Sequence, residues 1–316
     1  MQGYTIARRK NVERSYPDVP EGPTIKVTAD LLRRTLQGKT VRSFRSSLKK
    51  AATEAWQPKI QGQCVDVVHS LGKHLLIELS SGYVLYSHMM MWGAWHVYAP
   101  NEPWRKPATR ARAVLETDDA VVVLFNAPVC ELIHRDQLAQ HITASSGPDL
   151  LSDTFDVDEA RRRFYAPEHA AREVGELIMD QQVLAGIGNV LKSEILFQAA
   201  IHPQRMPGTI TADEFDRMVA LSRDLMRTSY ELGTFEGAFL PPDAEIQGGR
   251  YGYVYRRRGY PCVRCGIAIR MVRQGAGQRM TWYCPYCQPY IGPNNPDLVP
   301  DRRPKPKGLR ATTEGS

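Results

Sequence analysis

The chain has 316 residues, with 41 Lys and Arg against 34 Asp and Glu, a formal charge of +7 and a pI near 9.1. That length exceeds one typical domain and can bury two cores, and the basic balance favours a polyanionic partner, DNA or RNA. Residues 1–19 hold no apolar run of signal-peptide length, and no later segment nears about eighteen consecutive apolar residues. The expectation is a soluble protein without a membrane partner, cytoplasmic and, in a bacterium, associated with the nucleoid.

From Pro20 onward, Ile25, Ala29, Leu32 and Leu36 share one face at helical spacing, and Gly38 stands as the terminator. The period then changes. Residues 41–46, 63–69, 74–79, 83–88, 112–116 and 120–125 are short runs rich in β-branched and aromatic residues, separated by turn formers such as Ser80-Ser81-Gly82 and Asp118-Asp119. Successive hairpins of this kind predict an antiparallel sandwich. Cys64 and Cys130 fall in these runs and read as buried thiols.

Gly147-Pro148-Asp149 opens a boundary, and from Asp158 the pattern turns helical. Thr211 and Glu214 form a capping box for a helix that carries Phe215, Met218, Ser222, Leu225 and Ser229 on one side and ends at Gly233. The fold class read from this order is α+β: an N-terminal antiparallel β-sandwich with flanking helices over 20–150, a helical domain over 151–250 and a small ribbon over 251–290. Residues 291–316, rich from Asn294 in proline, lysine and arginine and without periodicity, read as a disordered basic tail attracted to phosphate. The clusters Arg33-Arg34, Lys49-Lys50, Arg161-Arg162-Arg163 and Arg256-Arg257-Arg258 add to that attraction, although each alone is equally an ordinary solvated face.

The ribbon rests on Cys262-x2-Cys265, eighteen intervening residues, then Cys284-x2-Cys287. Two such knuckles brought together by a hairpin offer four thiolates at tetrahedral geometry, which suits one structural Zn2+ and leaves no open position for chemistry. A redox dithiol or paired disulfides are the alternative. Between the knuckles, 267–273 reads as a strand, 274–277 as a turn and 278–283 as the returning strand, so Arg279 rides near the ribbon tip, where it suits a nucleic-acid groove.

Residues 177–195 contain a helix end, a turn with Gly186 and Gly188, and a fresh helix that Asn189 can cap and that Leu191, Ile195 and Ala199 would pack. Glycines at those positions leave backbone amides open to a phosphate at a helix N-terminus. A helical hairpin with a glycine turn and no ligand is the bland alternative.

At this point the chain resembles the formamidopyrimidine-DNA glycosylase and endonuclease VIII family of base-excision repair enzymes. The resemblance spans Pro20 to Gln288 and rests on Pro20-Glu21-Gly22-Pro23, on Gly72-Lys73 at a strand entry, on the helix-two-turn-helix segment just described, and on a zinc ribbon ending in Cys287-Gln288. It implies a bifunctional glycosylase and AP lyase that acts on damaged double-stranded DNA as a monomer. By the same resemblance Pro20 is the nucleophile, Glu21 the general acid and proton shuttle, and Lys73 the ligand of a phosphate beside the lesion. For Lys73 the alternative is a surface lysine at a strand start. Asn189 and Arg279 would bind the DNA.

The segment Met89-Met90-Met91-Trp92 looks like the endonuclease VIII stretch that fills the gap left by a flipped nucleotide, with Met90, Met91 and Trp92 as the filling triad. The alternative is that these residues belong to the sandwich core. Endonuclease VIII has a glutamine where this chain has Met90, and most close members have a glutamate where this chain has Thr24, which bear on the opposite base and on the flipped sugar. The Ser87-His88 context and Trp92 favour the endonuclease VIII branch and hence oxidised pyrimidines.

One feature conflicts with that chemistry: Pro20 follows nineteen residues, and an amide nitrogen inside a peptide bond is not a nucleophile. The reading adopted is that Val19 is the true initiator, decoded from a GTG codon as methionine and removed to expose Pro20, so that Met1 to Asp18 is untranslated leader and 1–19 is absent from the native protein. Proteolytic maturation, and a true extension on an inactive DNA-binding homologue, are the alternatives.

Overall fold

The computed structural model describes residues 20–138, 140, 142, 146–233 and 252–298; the segment 1–19 and everything beyond residue 298 lie outside the described residues. The first helix, α1 (Gly22–Leu36), has Pro23 near its start and buries Ile25, Ala29, Leu32 and Leu36, as its spacing predicts. Thr24 holds the helix entry, its hydroxyl accepting from the Glu21 amide at 2.9 Å and donating to the Glu21 carbonyl at 2.8 Å.

Two four-stranded antiparallel sheets follow. One runs β1 (Ser43–Ser46), β6 (Ala111–Glu116), β7 (Val121–Phe125), β5 (Ala94–Tyr98); the other runs β2 (Val65–Leu71), β3 (His74–Leu79), β4 (Tyr83–His88), β8 (Val129–His134). Phe44, Leu115, Val122 and Leu124 of the first share a core with Val68, Leu75, Ile77 and Leu85 of the second and with the apolar face of α1. Short helices α2 (Lys49–Thr53) and α3 (Trp56–Ile60) bring in Ala51, Trp56 and Ile60.

The sandwich is therefore as expected, but β5 and β8 are additional strands. Both are edges whose partners, β7 and β4, are distant in sequence, and an edge strand is specified less by its own pattern than by the neighbour it pairs with. Cys130 is buried, whereas Cys64 is half-exposed because it sits in an isolated bridge to Thr40 before β2 begins.

A short helix, α4 (Arg135–Leu138), packs on β4 and β8 of the sandwich, and the helical half comprises α5 (Val157–Phe164), α6 (Val174–Leu177), α7 (Asn189–Gln198) and α8 (Ala212–Leu232). Asp156 caps α5, and the Thr211–Glu214 box caps α8, which ends at Gly233. The ribbon strands are β9 (Arg270–Gln274) and β10 (Arg279–Tyr283), with the turn one residue later than expected. Ile269, Trp282, Cys262 and Cys284 pack in one core with Leu191, Ile195 and Phe197, so the ribbon is an outgrowth of the helical domain and not a unit with a core of its own.

Of the disordered tail expected over 291–316, the part over 291–298 is instead anchored, and 299–316 lie outside the described residues. Asp297 accepts from Arg270 at 3.0 Å and from the Tyr283 hydroxyl at 2.9 Å, and lies 3.3 Å from buried His202. The halves of the molecule meet where Gly22 donates to the Gly186 carbonyl at 2.8 Å and Gly72 donates to Asp149 at 2.8 Å. Among the described residues no helix is long and apolar enough to cross a membrane.

Candidate active site and nucleic-acid interface

The meeting of the two halves is built around one carboxylate. Glu21, fully buried ahead of α1, inserts its side chain into the N-terminus of α7. The amides of Gly188 and Leu191 donate to Oε2 at 3.1 and 3.2 Å, and that of Val190 donates to Oε1 at 2.8 Å. The anion cradle read from the sequence is present, but Glu21 fills it from within, so it is not open to a phosphate. It follows that Asn189 does not cap α7. It is the first helical residue, the N-cap is Gly188, and its buried amide group reaches the Tyr255 hydroxyl.

Two glycines permit this insertion. A Cβ on Gly188 would stand 2.3 Å from Cδ of Glu21, and Gly186 takes a φ of +109°, a conformation that other residues rarely adopt. Burial pushes the Glu21 carboxyl up, and the nearby Lys73 and the three amides oppose the shift without cancelling it. A carboxyl so perturbed keeps its proton to higher pH than an exposed one, as a general acid requires. Pro20, half-buried, directly precedes it.

Three basic groups act on this carboxylate or on one another. Lys73, in the turn between β2 and β3, is held down at about 8 by burial, with Glu21 raising it and Arg279 lowering it. Arg279 opens β10 opposite Gln274, beside the ribbon turn, and is half-buried. From the ribbon tip its charge acts on Lys73 and Lys192. The third basic group is Lys192, fully buried, whose Nζ meets no hydrogen-bond acceptor among the described residues.

The four ribbon cysteines place their sulfurs within 4.8 Å of one another, with Cys262 and Cys287 at 3.9 Å and Cys265 and Cys284 at 3.5 Å. A tetrahedral site with Zn–S bonds of about 2.3 Å has edges of about 3.8 Å, so these residues fit one structural zinc ion. None is in a disulfide, which disposes of the paired-disulfide alternative.

At the end of β4 the Met-rich segment divides. Met89 is 4% exposed and belongs to the sandwich core, while Met90, Met91 and Trp92 are 52, 48 and 73% exposed. Met90 has a left-handed φ of 49°, and its amide donates to Nδ1 of His88 at 3.1 Å. Burial, His74 and Lys73 hold His88 down to about 4, so its ring is neutral and free to accept that bond. A large apolar triad is thus displayed on a bent, clipped loop.

Comparison with known proteins accounts for this assembly. Residues 19–128 match the formamidopyrimidine-DNA glycosylase N-terminal domain, 146–237 the formamidopyrimidine-DNA glycosylase H2TH domain, and 259–289 the zinc finger found in FPG and IleRS. A probable endonuclease 8 of Streptomyces coelicolor is 33% identical over 275 residues, covering 85% of this chain and 94% of the relative. The chain belongs to the formamidopyrimidine-DNA glycosylase and endonuclease VIII family.

Endonuclease 8 of Escherichia coli is 30% identical over 274 residues, 85% of this chain and all of that protein. Among solved structures, a mutant of Lactococcus lactis FPG in complex with DNA containing Fapy-dG superposes with a TM-score of 0.72 at 21% identity, over 86% of this chain and 100% of that one. The same bacterium's Fpg in complex with DNA containing an abasic site gives 0.71 at 21% identity, over 85% and 100%. These two establish a shared fold.

In this family member the sequence reading missed that Gly188 and α7 exist to hold Glu21, and it missed Lys192. A signal was available for the latter: α7 is buried from Asn189 through Phe197, and Lys192 and Glu194 are the charged residues inside that stretch. Glu194 accepts from the amides of Tyr253, Val254 and Tyr255, which leaves Lys192 as the unexplained charge.

Proposed function

We propose that this DNA glycosylase and AP lyase removes oxidised bases, pyrimidines foremost, from duplex DNA as a monomer, through a Schiff base on Pro20. The observation that carries the reading is the buried Glu21 carboxyl, pushed up by burial, adjacent to Pro20 and beside Lys73. Relatives solved with DNA containing Fapy-dG or an abasic site support damaged DNA as the partner.

In this mechanism the Pro20 nitrogen lone pair forms a bond to C1′ of the damaged nucleotide. The bond to the base breaks with its electron pair going to the base, which departs with the proton that the Pro20 nitrogen gives up. The nitrogen lone pair then expels the sugar ring oxygen, which takes the Glu21 proton as the ring opens. A free α-amine titrates near about 8, so a useful fraction is unprotonated at neutral pH, which a typical lysine at about 10.4 does not offer. Because proline is a secondary amine, the product is a cationic iminium. It draws electrons from the C2′–H bond, so that the 3′ phosphate leaves in β-elimination and the 5′ phosphate in the δ-elimination that follows. Lys73 and Arg279 neutralise the backbone phosphates. Asn189 is assigned a contact to the backbone beside α7, and Met90, Met91 and Trp92 fill the gap in the stack.

All of this requires Pro20 to carry a free amine. Borohydride trapping on an abasic duplex, run with protein beginning at Pro20 and protein beginning at Met1, tests it directly. A covalent adduct with the first and none with the second supports the Pro20 assignment. Absence of an adduct with zinc-loaded, folded protein beginning at Pro20 refutes it and favours the alternative of a noncatalytic DNA-binding homologue.

A further inference from the structure

Lys192 lies one turn into α7 with its side chain fully buried and its ammonium nitrogen without an acceptor. A charge taken out of water and left unpaired is strongly disfavoured, so such a group either sheds its proton or waits for a change in its surroundings. The charged groups that act on it are Arg279 from β10, Glu21 from the head of α1 and Lys73 from the β2–β3 turn. On its own helix Glu194 is committed to the amides of 253–255, and Tyr255, which closes this side, has its phenol pushed up by burial. On the other elements packed on α7, Glu176 of α6 pairs with Arg172, Asp216 of α8 with Arg161 and Glu214 of α8 with Arg205, while Asp213, Asp224 and Glu231 of α8 are exposed. The cluster therefore holds three basic groups near a single carboxyl, a surplus of positive charge that an anion would relieve.

We infer that Lys192 is the proton acceptor of the binding step: as a backbone phosphate seats against Lys73 and Arg279, Lys192 takes up a proton from solvent, and lesion binding is coupled to that uptake. This rests on the reading that DNA meets Lys73 and Arg279. Burial first, then the charges of Arg279 and Lys73, hold the Lys192 amine at about 7, with Glu21 opposing them. A phosphate between the two repelling cations cancels the electrostatic part of that depression, so the amine binds its proton more tightly in the complex than in the free protein. At a pH just above 7 the free protein carries Lys192 mostly neutral and the complex carries it charged. The new cation arrives beside Glu21 before Glu21 gives its proton to the sugar, and it stabilises the carboxylate that this transfer leaves behind. Lys192 is on this view a positioning residue, acting on the reaction through Glu21.

Calorimetric binding of a duplex containing a tetrahydrofuran abasic analogue, at pH 7.5 in buffers of different ionisation heat, counts the protons taken up by the full, zinc-loaded chain. Wild-type protein is expected to take up more than Lys192→Met by roughly half a proton or more. Lys192→Arg, whose side chain is charged in both states, should show the same loss while keeping the volume and charge of the site. Lys73 contributes uptake in all three proteins and sets the residual. Equal uptake by the three, with lesion affinity retained, overturns the role of Lys192 and leaves the DNA site standing. A wild-type protein with no preference for the abasic analogue over intact duplex overturns both.

Discussion

The β-sandwich and the zinc ribbon each bring one cation to the site, Lys73 from the first, beside Glu21, and Arg279 from the second, acting on Lys73 and Lys192, yet they are held together by different means. The sandwich closes on an apolar core to which both sheets and α1 contribute. The ribbon is two short strands that expose Met280 and lean on α7, and four cysteines fix their shape. Hydrophobic burial is distributed over many side chains and degrades gradually, whereas a metal site is lost with one ligand. The active site is therefore robust on one flank and brittle on the other.

Cys284→Ser is the sharpest way to break this comparison. Structural zinc is worth on the order of 10 kcal/mol to a small metal module, and Cys284 is fully buried against α7. The variant should release zinc and lose lesion-DNA affinity on the order of 100-fold, with Arg279 no longer held beside Lys73 and Lys192. Slow amide exchange in β3 and β4 should persist. Zinc content, filter binding and exchange on one sample check all three, and tight lesion binding without zinc would remove the ribbon from the site.

Next comes the joint between the flanks. Gly188→Ala sets a methyl carbon 2.3 Å from Cδ of Glu21 at a backbone angle that alanine tolerates, so the carboxylate must leave its cradle. Base excision should fall by about 10²- to 10⁴-fold, the usual range for loss of a positioned acid. Glu21→Gln should match it, with some lyase action on preformed abasic sites surviving in both. Single-turnover rates on lesion and abasic duplexes separate the steps, and unimpaired excision by Gly188→Ala would show that the cradle is not needed.

Trp92→Ala probes only the sandwich flank. Loss of one stacking aromatic costs about 1 to 3 kcal/mol, or roughly 5- to 150-fold in kcat/KM on intact lesion duplex. A substrate with a gap opposite the lesion, where no stack needs filling, should be nearly indifferent. An equal loss on both substrates would mean that Trp92 supports the loop and does not enter the DNA.

Most of the scaffold was legible because its determinants are local. The Ile25-Ala29-Leu32-Leu36 stripe, the Thr211–Glu214 cap and the paired Cys-x2-Cys knuckles each declare themselves within a few residues. What was hidden depends on contacts between distant segments. Glu21 meets α7 across 167 to 170 residues of chain, and nothing near Gly188 reveals that the anion it admits is a side chain of the same molecule. Likewise Thr24, where the family resemblance led to an expected glutamate, reads as a lost functional group until its hydroxyl is seen closing the turn that carries Glu21. The edge strands β5 and β8 escaped for the same reason.

The smallest effect expected belongs to the ribbon's second anchor. Asp297 is pushed up by burial, but the neighbouring His202 ring, the Tyr283 hydroxyl and the Arg270 charge more than offset this and hold it below the usual carboxylate range. A carboxyl whose pKa is depressed on folding contributes stability that is present above about pH 4 and is lost as pH falls through the folded value. Asp297→Asn should therefore lower Tm by only a few degrees near neutrality, corresponding to about 1 kcal/mol, and the difference from wild type should vanish in acid. Zinc content and excision rate should stay within about twofold, since the metal and not this anchor shapes the ribbon. A collapse of excision at neutral pH in Asp297→Asn would instead make the anchor part of the machinery that aims Arg279, and the ribbon would then be held by two supports of comparable weight.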